Sequence, residues 1–169
     1  MPRPTNFEDA YPLSPLQQGL LFHALYAPDE GVYIDQLSYL VDAPAGFDAE
    51  PLRRAFAEVV ARHGALRTAF SWQRRDAPLQ VVLRTVKLPF AEHDWRRLDP
   101  AAAQERLARL LAEDRRRGFD LAAAPLARIN VCRLSERSFQ LILTYHHVVL
   151  DGWSVLLIQE ELFARIAAA

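Results

Sequence analysis

One apolar run in the last third of the chain constrains its fold more than any other feature. Residues 139–145, Phe-Gln-Leu-Ile-Leu-Thr-Tyr, are rich in β-branched and aromatic side chains, which is typical of a buried strand. The sequence His-His-Val-Val-Leu-Asp-Gly follows at once over residues 146–152, and a helical pattern begins near Ser154. A turn between a buried strand and a helix holds its side chains rigidly. The sequence therefore predicts that a buried strand presents His146 and His147 at its end.

The composition fits one globular unit. The chain has 169 residues, of which 51% are hydrophobic, and this is enough to build a core. Its net charge of −1 gives no overall attraction to nucleic acid or to an anionic membrane surface. No apolar stretch has the length of a membrane span, and Met1 is followed by polar residues rather than by the apolar core of a signal peptide. Because Cys132 is the only cysteine, no internal disulfide can form. We therefore expect a cytoplasmic protein that binds neither nucleic acid nor a membrane.

Hydrophobic periodicity predicts a mixture of helices and strands. Helices are expected after the capping residues Ser14 and Asp48, over residues 100–117, and from about Ser154 to the chain end. Residues 1–11 are expected to be irregular. Strands are expected over residues 32–41, 68–72, 79–83, 88–93, 125–134 and 138–145. This order predicts an α/β sandwich, a mixed sheet covered by helices.

Three segments of the chain carry recognisable residue patterns. They are Tyr-Pro-Leu-Ser-Pro-Leu-Gln-Gln-Gly-Leu-Leu-Phe-His over residues 11–23, Arg-His-Gly-Ala-Leu-Arg-Thr-Ala-Phe over residues 62–70, and Tyr-His-His-Val-Val-Leu-Asp-Gly-Trp-Ser over residues 145–154. In this order they resemble the first three core motifs of the condensation domains of nonribosomal peptide synthetases. The third resembles the His-His-x-x-x-Asp-Gly active-site motif of that acyltransferase superfamily.

The resemblance implies a fold like that of chloramphenicol acetyltransferase. In the family, two such lobes form a V. Residues 1–169 resemble the N-terminal lobe alone, because the motifs of the C-terminal lobe have no room in the chain. The resemblance therefore implies that this lobe works together with a C-terminal lobe of the same domain, and that the isolated lobe is inactive.

The resemblance also implies an acyltransferase that forms an amide bond. In the family, donor and acceptor carrier proteins deliver thioester-bound substrates on phosphopantetheine arms to a tunnel between the lobes, where the acceptor amine attacks the donor thioester. No cofactor is then expected to be bound by this lobe itself. The Gln-Gln-Gly-Leu-Leu-Phe-His wording of the first motif is more similar to the subtype that takes a D-configured donor and an L acceptor.

The resemblance places the catalytic role on His147. A neutral imidazole can accept the proton of the attacking amine or hold the amine by a hydrogen bond, and the sequence leaves both roles open. His146 points to the opposite side of the strand end, so we expect a structural role for it. Asp151 resembles a structural carboxylate that pairs with an arginine of the second motif, and both Arg62 and Arg67 are candidates for that partner.

The remaining candidates concern the substrate tunnel. Gly152 is expected to permit a particular backbone conformation or the close approach of the pantetheine arm. The candidates for lining the tunnel are Gln18, His23, Trp153 and Ser154. We expect no metal site, because adjacent histidines in a strand point to opposite faces. Two other functions remain open, which are an ester-forming acyltransferase of the same superfamily and a non-catalytic lobe that docks carrier proteins.

Overall fold

A computed structural model describes residues 6–27, 31–43, 46, 48–73, 77–87 and 89–167. In these ranges the chain forms seven strands, four α-helices and one 3₁₀ helix. The strands are β1 (Phe7–Pro12), β2 (Ile34–Asp42), β3 (Thr68–Ser71), β4 (Leu79–Leu83), β5 (Phe90–Asp94), β6 (Ala127–Arg133) and β7 (Ser138–His146). The helices are α1 (Pro15–Tyr26), α2 (Ala49–Arg62), α3 (Pro100–Arg117) and α4 (Gly152–Ala167), and the 3₁₀ helix is Gly64–Arg67.

A four-stranded sheet forms the centre of the molecule. Its strand order is β2–β7–β6–β5, in which β5 and β6 run parallel and the other neighbours run antiparallel. β7 has a strand on each side and is buried over nearly its whole length, which explains the continuous apolar run in its sequence. The prediction of a mixed sheet is confirmed, and its central strand ends at His146.

Helices cover both faces of this sheet. α2 and α4 pack on one face, in a core that contains Phe56, Leu143 and Ile158. α3 packs on the other face, where its leucines contact Trp95 and Ile142. The predictions of a helix after Asp48 and of a helix over residues 100–117 are thereby confirmed.

A second sheet of three strands lies next to the end of β7. Its order is β1–β4–β3, and both pairs are antiparallel. Residues 1–11 were expected to be irregular, and for residues 7–11 this was wrong, because they pair with β4. Residues 1–5 lie outside the described residues. The strand gives a weak sequence signal because none of its residues is fully buried. Leu20 and Leu21 of α1, Phe70 of β3 and Val148 of the turn after β7 share a core, so this sheet and α1 fix the position of that turn.

A buried ion pair joins α3 to the central sheet. Arg128 of β6 donates through Nε to Oδ1 of Asp114 at 2.7 Å, and both side chains are about 5% exposed. The other carboxylate oxygen, Oδ2, accepts from Thr144 Oγ1 of β7 at 2.6 Å and from Gln36 Nε2 of β2 at 3.3 Å. One carboxylate therefore connects α3 to three neighbouring strands.

Candidate active site at the end of the central strand

His147 lies directly after the central strand, with its imidazole partly open to solvent. Its backbone N–H donates to the carbonyl of Tyr33 at 2.8 Å, which continues the β2–β7 ladder by one residue. The side chain is 38% exposed, and its Nδ1 lies 2.9 Å from Oδ2 of Asp35. An imidazole held through Nδ1 keeps Nε2 for exchange of a proton with another group. The position therefore suits acid–base chemistry or the binding of an amine.

His146 lies on the other side of the strand end and is only 3% exposed. Its Nδ1 accepts a hydrogen bond from the backbone N–H of Val148 at 3.1 Å, and its own backbone N–H donates to the carbonyl of Leu126 at 2.9 Å. Burial lowers the pKa of the His146 imidazole from 6.5 to about 4. The ring is therefore neutral at pH 7 and braces the turn that carries the rest of the motif.

We expect His146 to make the protein less stable at mildly acidic pH. The pKa of this histidine is near 6.5 in the unfolded chain and about 4 in the folded protein. Between these values the unfolded state binds more protons, so acidification favours unfolding. The free energy of unfolding should fall by about 2 kcal/mol between pH 8 and pH 5 through this group alone. Urea unfolding of the wild type and of His146→Asn at pH 8 and pH 5 measures this fall, which should be absent from the variant.

The asparagine variant isolates the effect because its Oδ1 can accept the hydrogen bond from Val148 but does not titrate. His23→Asn, a change at an exposed histidine of α1, is the matched control and should keep the wild-type pH dependence. An equal loss of stability at pH 5 in the wild type and in His146→Asn would contradict the prediction.

Asp151 caps the helix that follows the motif. Its Oδ1 accepts from the backbone N–H of Ser154 at 2.7 Å, and its carbonyl accepts from Val155 N–H at 3.0 Å. The hydrogen bond from the Ser154 backbone holds the pKa of the Asp151 carboxyl below its usual range. The side chain thus fixes where α4 begins relative to the strand end.

Gly152 is the first residue of α4 and does not have a left-handed backbone conformation. The expected conformational need for glycine is therefore not found at this position. Apart from the neighbouring residues and the backbone of its own helix, a methyl group in place of its hydrogen would meet no atom of the described residues within 4 Å. Among the described residues, the space that a side chain at position 152 would enter is therefore open.

The predicted ion pair between Asp151 and an arginine of the second motif is not formed among the described residues. Arg67 is buried, but its Nη1 lies 2.6 Å from Oε2 of Glu8 and also donates to a backbone carbonyl of β4. Arg62 is exposed at the end of α2, and its Nη1 lies 3.4 Å from Oε1 of Glu161 on α4. The expectation fails because Asp151 is engaged by the start of α4, whereas each arginine has a carboxylate partner elsewhere.

Comparison with known proteins identifies the family. Residues 7–167 match the model of the condensation domain. The chain belongs to the condensation-domain family of nonribosomal peptide synthetases. The match includes all three motifs and both histidines at the end of β7.

Known synthetases contain similar condensation segments. The chain is 44% identical over 163 residues to a linear gramicidin synthase protein of Brevibacillus parabrevis, and 38% identical over 159 residues to bacitracin synthase 3 of Bacillus licheniformis. These matches cover 96% and 94% of this chain but only 3% and 2% of the relatives. The chain therefore spans a small part of the length of these synthetases.

Solved condensation domains share the fold. The starter condensation domain of rhizomide synthetase RzmA superimposes with a TM-score of 0.80 at 19% identity, over 92% of this chain and 38% of that one. The first condensation domain of the calcium-dependent antibiotic synthetase, in complex with a substrate analogue, gives 0.79 at 20% identity, over 92% and 36%. The predicted fold class, like that of chloramphenicol acetyltransferase, is thereby confirmed.

The four tunnel candidates of this condensation-domain chain occupy the first turn of α4 and the helix α1. Trp153 is 80% exposed, and the backbone N–H of Ser154 donates to the capping carboxylate of Asp151. Gln18 is exposed and donates through Nε2 to a backbone carbonyl just before α1, at 3.2 Å. His23 Nδ1 lies 3.3 Å from the hydroxyl of Tyr33, whose carbonyl holds the second histidine of the motif. His23 is thus linked to His147 through Tyr33, whereas the hydrogen bond of Gln18 reaches only a residue five positions earlier in the chain.

Sequence reasoning missed three residues that complete the site. Asp35 contacts His147 of the motif from β2, and Tyr145 lies directly opposite Asp35 in the β2–β7 pair. Burial and the neighbouring charge of Asp35 raise the pKa of Tyr145 to about 12. Gln17 donates through Nε2 to the carbonyl of Val148 at 3.3 Å and ties α1 to the turn. The capping box that Gln17 forms with Ser14 was a readable signal for this residue.

The described residues contain no group of three or more His, Cys, Asp or Glu side chains placed to hold a metal ion. The helices in these ranges also include none that is long and apolar enough to cross a bilayer. Cys132 is fully buried, and burial raises the pKa of its thiol to about 12. It is therefore not a nucleophile at neutral pH.

Proposed function

We propose that the chain is the N-terminal lobe of a condensation domain and supplies the imidazole for amide-bond formation. The reaction joins a carrier-bound donor thioester to the amine of a carrier-bound acceptor amino acid. The observation that carries the proposal is the placement of His147. Its ring is 38% exposed at the end of a buried strand and is held through Nδ1 by a carboxylate.

The chemistry needs one proton transfer near the reacting carbon. The amine nitrogen attacks the thioester carbonyl, a C–N bond forms, and the C–S bond breaks as the intermediate collapses. The nitrogen must lose a proton, and the departing sulfur must gain one. In this proposal Nε2 of His147 accepts or holds that proton, while tethering of both substrates contributes by approximation.

We propose that the C-terminal lobe of the same domain covers exposed apolar side chains of α1 and α4. These large side chains are 51% to 84% exposed, although such residues are usually buried. They are Leu16, Phe22, Tyr26, Trp153, Leu156 and Leu157. Related condensation-domain structures are more than twice as long as their match with this chain, which leaves chain for such a second lobe.

The tunnel between the two lobes would receive the phosphopantetheine arms of a donor and an acceptor carrier protein. The open space at Gly152 suits the approach of such an arm, with Trp153 and Ser154 next to it. This lobe alone would bind no cofactor and would be inactive, since half of the tunnel is missing. We propose the cytoplasm as its location. On the residues of its first motif, we also propose that it belongs to the subtype that takes a D-configured donor and an L acceptor.

The proposal is tested with the complete condensation domain and carrier proteins loaded with defined substrates. We expect an amide product from an amino acid acceptor, and faster formation from a donor ending in a D-residue than from its L-epimer. The isolated chain should give no product. A product only from a hydroxy acid acceptor would replace the proposal with an ester-forming enzyme. No product from either acceptor, with carrier binding retained, would favour a docking lobe.

A further inference from the structure

Three polar side chains meet on one face of the β2–β7 pair. Asp35 of β2 lies directly opposite Tyr145 of β7. His147 follows Tyr145 by two residues, and side chains two residues apart in an extended chain point to the same face. Oδ2 of Asp35 lies 2.9 Å from Nδ1 of His147.

We infer that Asp35 is a positioning residue that fixes the tautomer and the orientation of the His147 ring. A carboxylate accepts hydrogen bonds and donates none, so in the neutral imidazole it selects the form with the proton on Nδ1. Nε2 then carries the lone pair. The inference rests on the proposed function for the use of that lone pair, which is to accept or hold the proton of the acceptor amine.

The surroundings of Asp35 restrict the geometry further. Tyr145 lies directly opposite Asp35 in the strand pair, and the hydrogen bond from the backbone N–H of His147 to the carbonyl of Tyr33 fixes the base of the ring. The ring is therefore held at two points, its backbone and Nδ1, and both holding groups belong to the same segment, residues 33–35. A ring without the Nδ1 contact would rotate about its side-chain bonds and would exchange between tautomers. In the tautomer with the proton on Nε2, that nitrogen cannot accept another.

The test compares Asp35→Val with Asp42→Val, a matched change at the other end of the same strand, where the aspartate is exposed. Both are made in the complete condensation domain labelled with ¹⁵N-histidine. The His147 signals are assigned by their loss in His147→Ala. In the wild type and in Asp42→Val, the ¹⁵N shifts should show mainly the form protonated on Nδ1. In Asp35→Val, the form protonated on Nε2 should predominate.

Turnover gives the second readout. We expect kcat to fall roughly 10- to 100-fold in Asp35→Val, which is the range found when a group that orients a metal-bound histidine is removed. KM should stay unchanged, because in this inference Asp35 acts on the reaction through the His147 ring. Asp35→Glu keeps a carboxylate on a longer side chain, and it should restore the tautomer and part of the rate. A purely structural role would predict neither the spectral change nor the rescue.

The outcomes separate this inference from the proposed function. If the tautomer is the same in Asp35→Val and in the wild type, the positioning role is overturned whatever the rate. If His147→Ala leaves product formation intact, the proposed function fails, while the change of tautomer in Asp35→Val would still establish the contact. Loss of activity in His147→Ala together with the spectral change and the fall in kcat in Asp35→Val supports both.

Discussion

Replacing His147 by alanine in the complete condensation domain should reduce the rate of amide formation about 10²–10⁴-fold. The imidazole is partly open to solvent at the end of β7, where the proposed reaction needs a group that takes a proton from the attacking nitrogen. Tyr145 lies opposite Asp35 in the same strand pair. Because burial and the charge of Asp35 raise the pKa of Tyr145 to about 12, its phenol stays protonated at neutral pH and does not replace the base. Single-turnover assays with both carrier proteins loaded measure the chemical step without product release.

His93→Ala is the matched control for this experiment. His93 is a half-buried histidine of β5, whose Nε2 lies 3.2 Å from Asn130 Oδ1, and it belongs to the far edge of the same sheet. Its replacement should leave the rate within about twofold of the wild type, as expected for a change away from the reacting groups. A rate in His147→Ala within about threefold of the wild type would show that approximation of the tethered substrates alone carries the reaction.

Replacing Asp114 by alanine should lower the free energy of unfolding by about 3–5 kcal/mol. The change leaves the charge of Arg128 buried without its counter-charge, and it removes the acceptor for Thr144 and Gln36. Guanidinium or urea unfolding of the purified protein measures the loss. Glu113→Ala is the matched control, because Glu113 is the preceding residue of α3 and is exposed. Its unfolding free energy should stay within about 0.5 kcal/mol of the wild type.

The effect of Asp114 should also depend on pH in a defined direction. Burial opposes ionisation of this carboxyl, but the hydrogen bonds from Arg128 and Thr144 outweigh it and hold its pKa below the usual range. A group whose pKa is lowered by folding stabilises the protein above its unfolded pKa of about 3.9 and loses this effect as the pH falls through the folded value. The difference between wild type and Asp114→Ala should therefore be constant from about pH 5 to pH 8 and shrink below about pH 4.

A double variant tests whether the two charges of the ion pair depend on each other. Asp114→Leu with Arg128→Met removes both charges, and it should be less destabilised than the sum of the two single variants. Additive losses would show that the two side chains act independently and that the pair does not join α3 to the sheet.

Local sequence patterns predicted the central features of the fold. The apolar run of β7 and the capped, periodic segments of α2 and α3 depend on neighbours in the chain, so their bounds could be read from the sequence. β1 was missed because none of its residues is fully buried and its pairing with β4 depends on residues about seventy positions away.

The site was only partly predictable for the same reason. The histidines and Asp151 form one short motif, so the sequence placed them together at the strand end. Asp35 is 112 residues away from His147 in the chain, and no spacing rule connects an aspartate in one strand to the end of another. The arginine partner of Asp151 was mispredicted because the choice among carboxylates within reach is decided by the packing of α2 and of the three-stranded sheet, which the motif does not encode.

The position of β2 in the sheet has a mechanical consequence. β2 is the outermost strand on its side of the four-stranded sheet, and residues 33–35 supply both the backbone and the side-chain hold on the imidazole. Outer strands separate from a sheet at a lower free energy than inner ones do. A brief opening at the start of β2 would therefore release both restraints on the imidazole together, while the inner strands and their helices stay assembled.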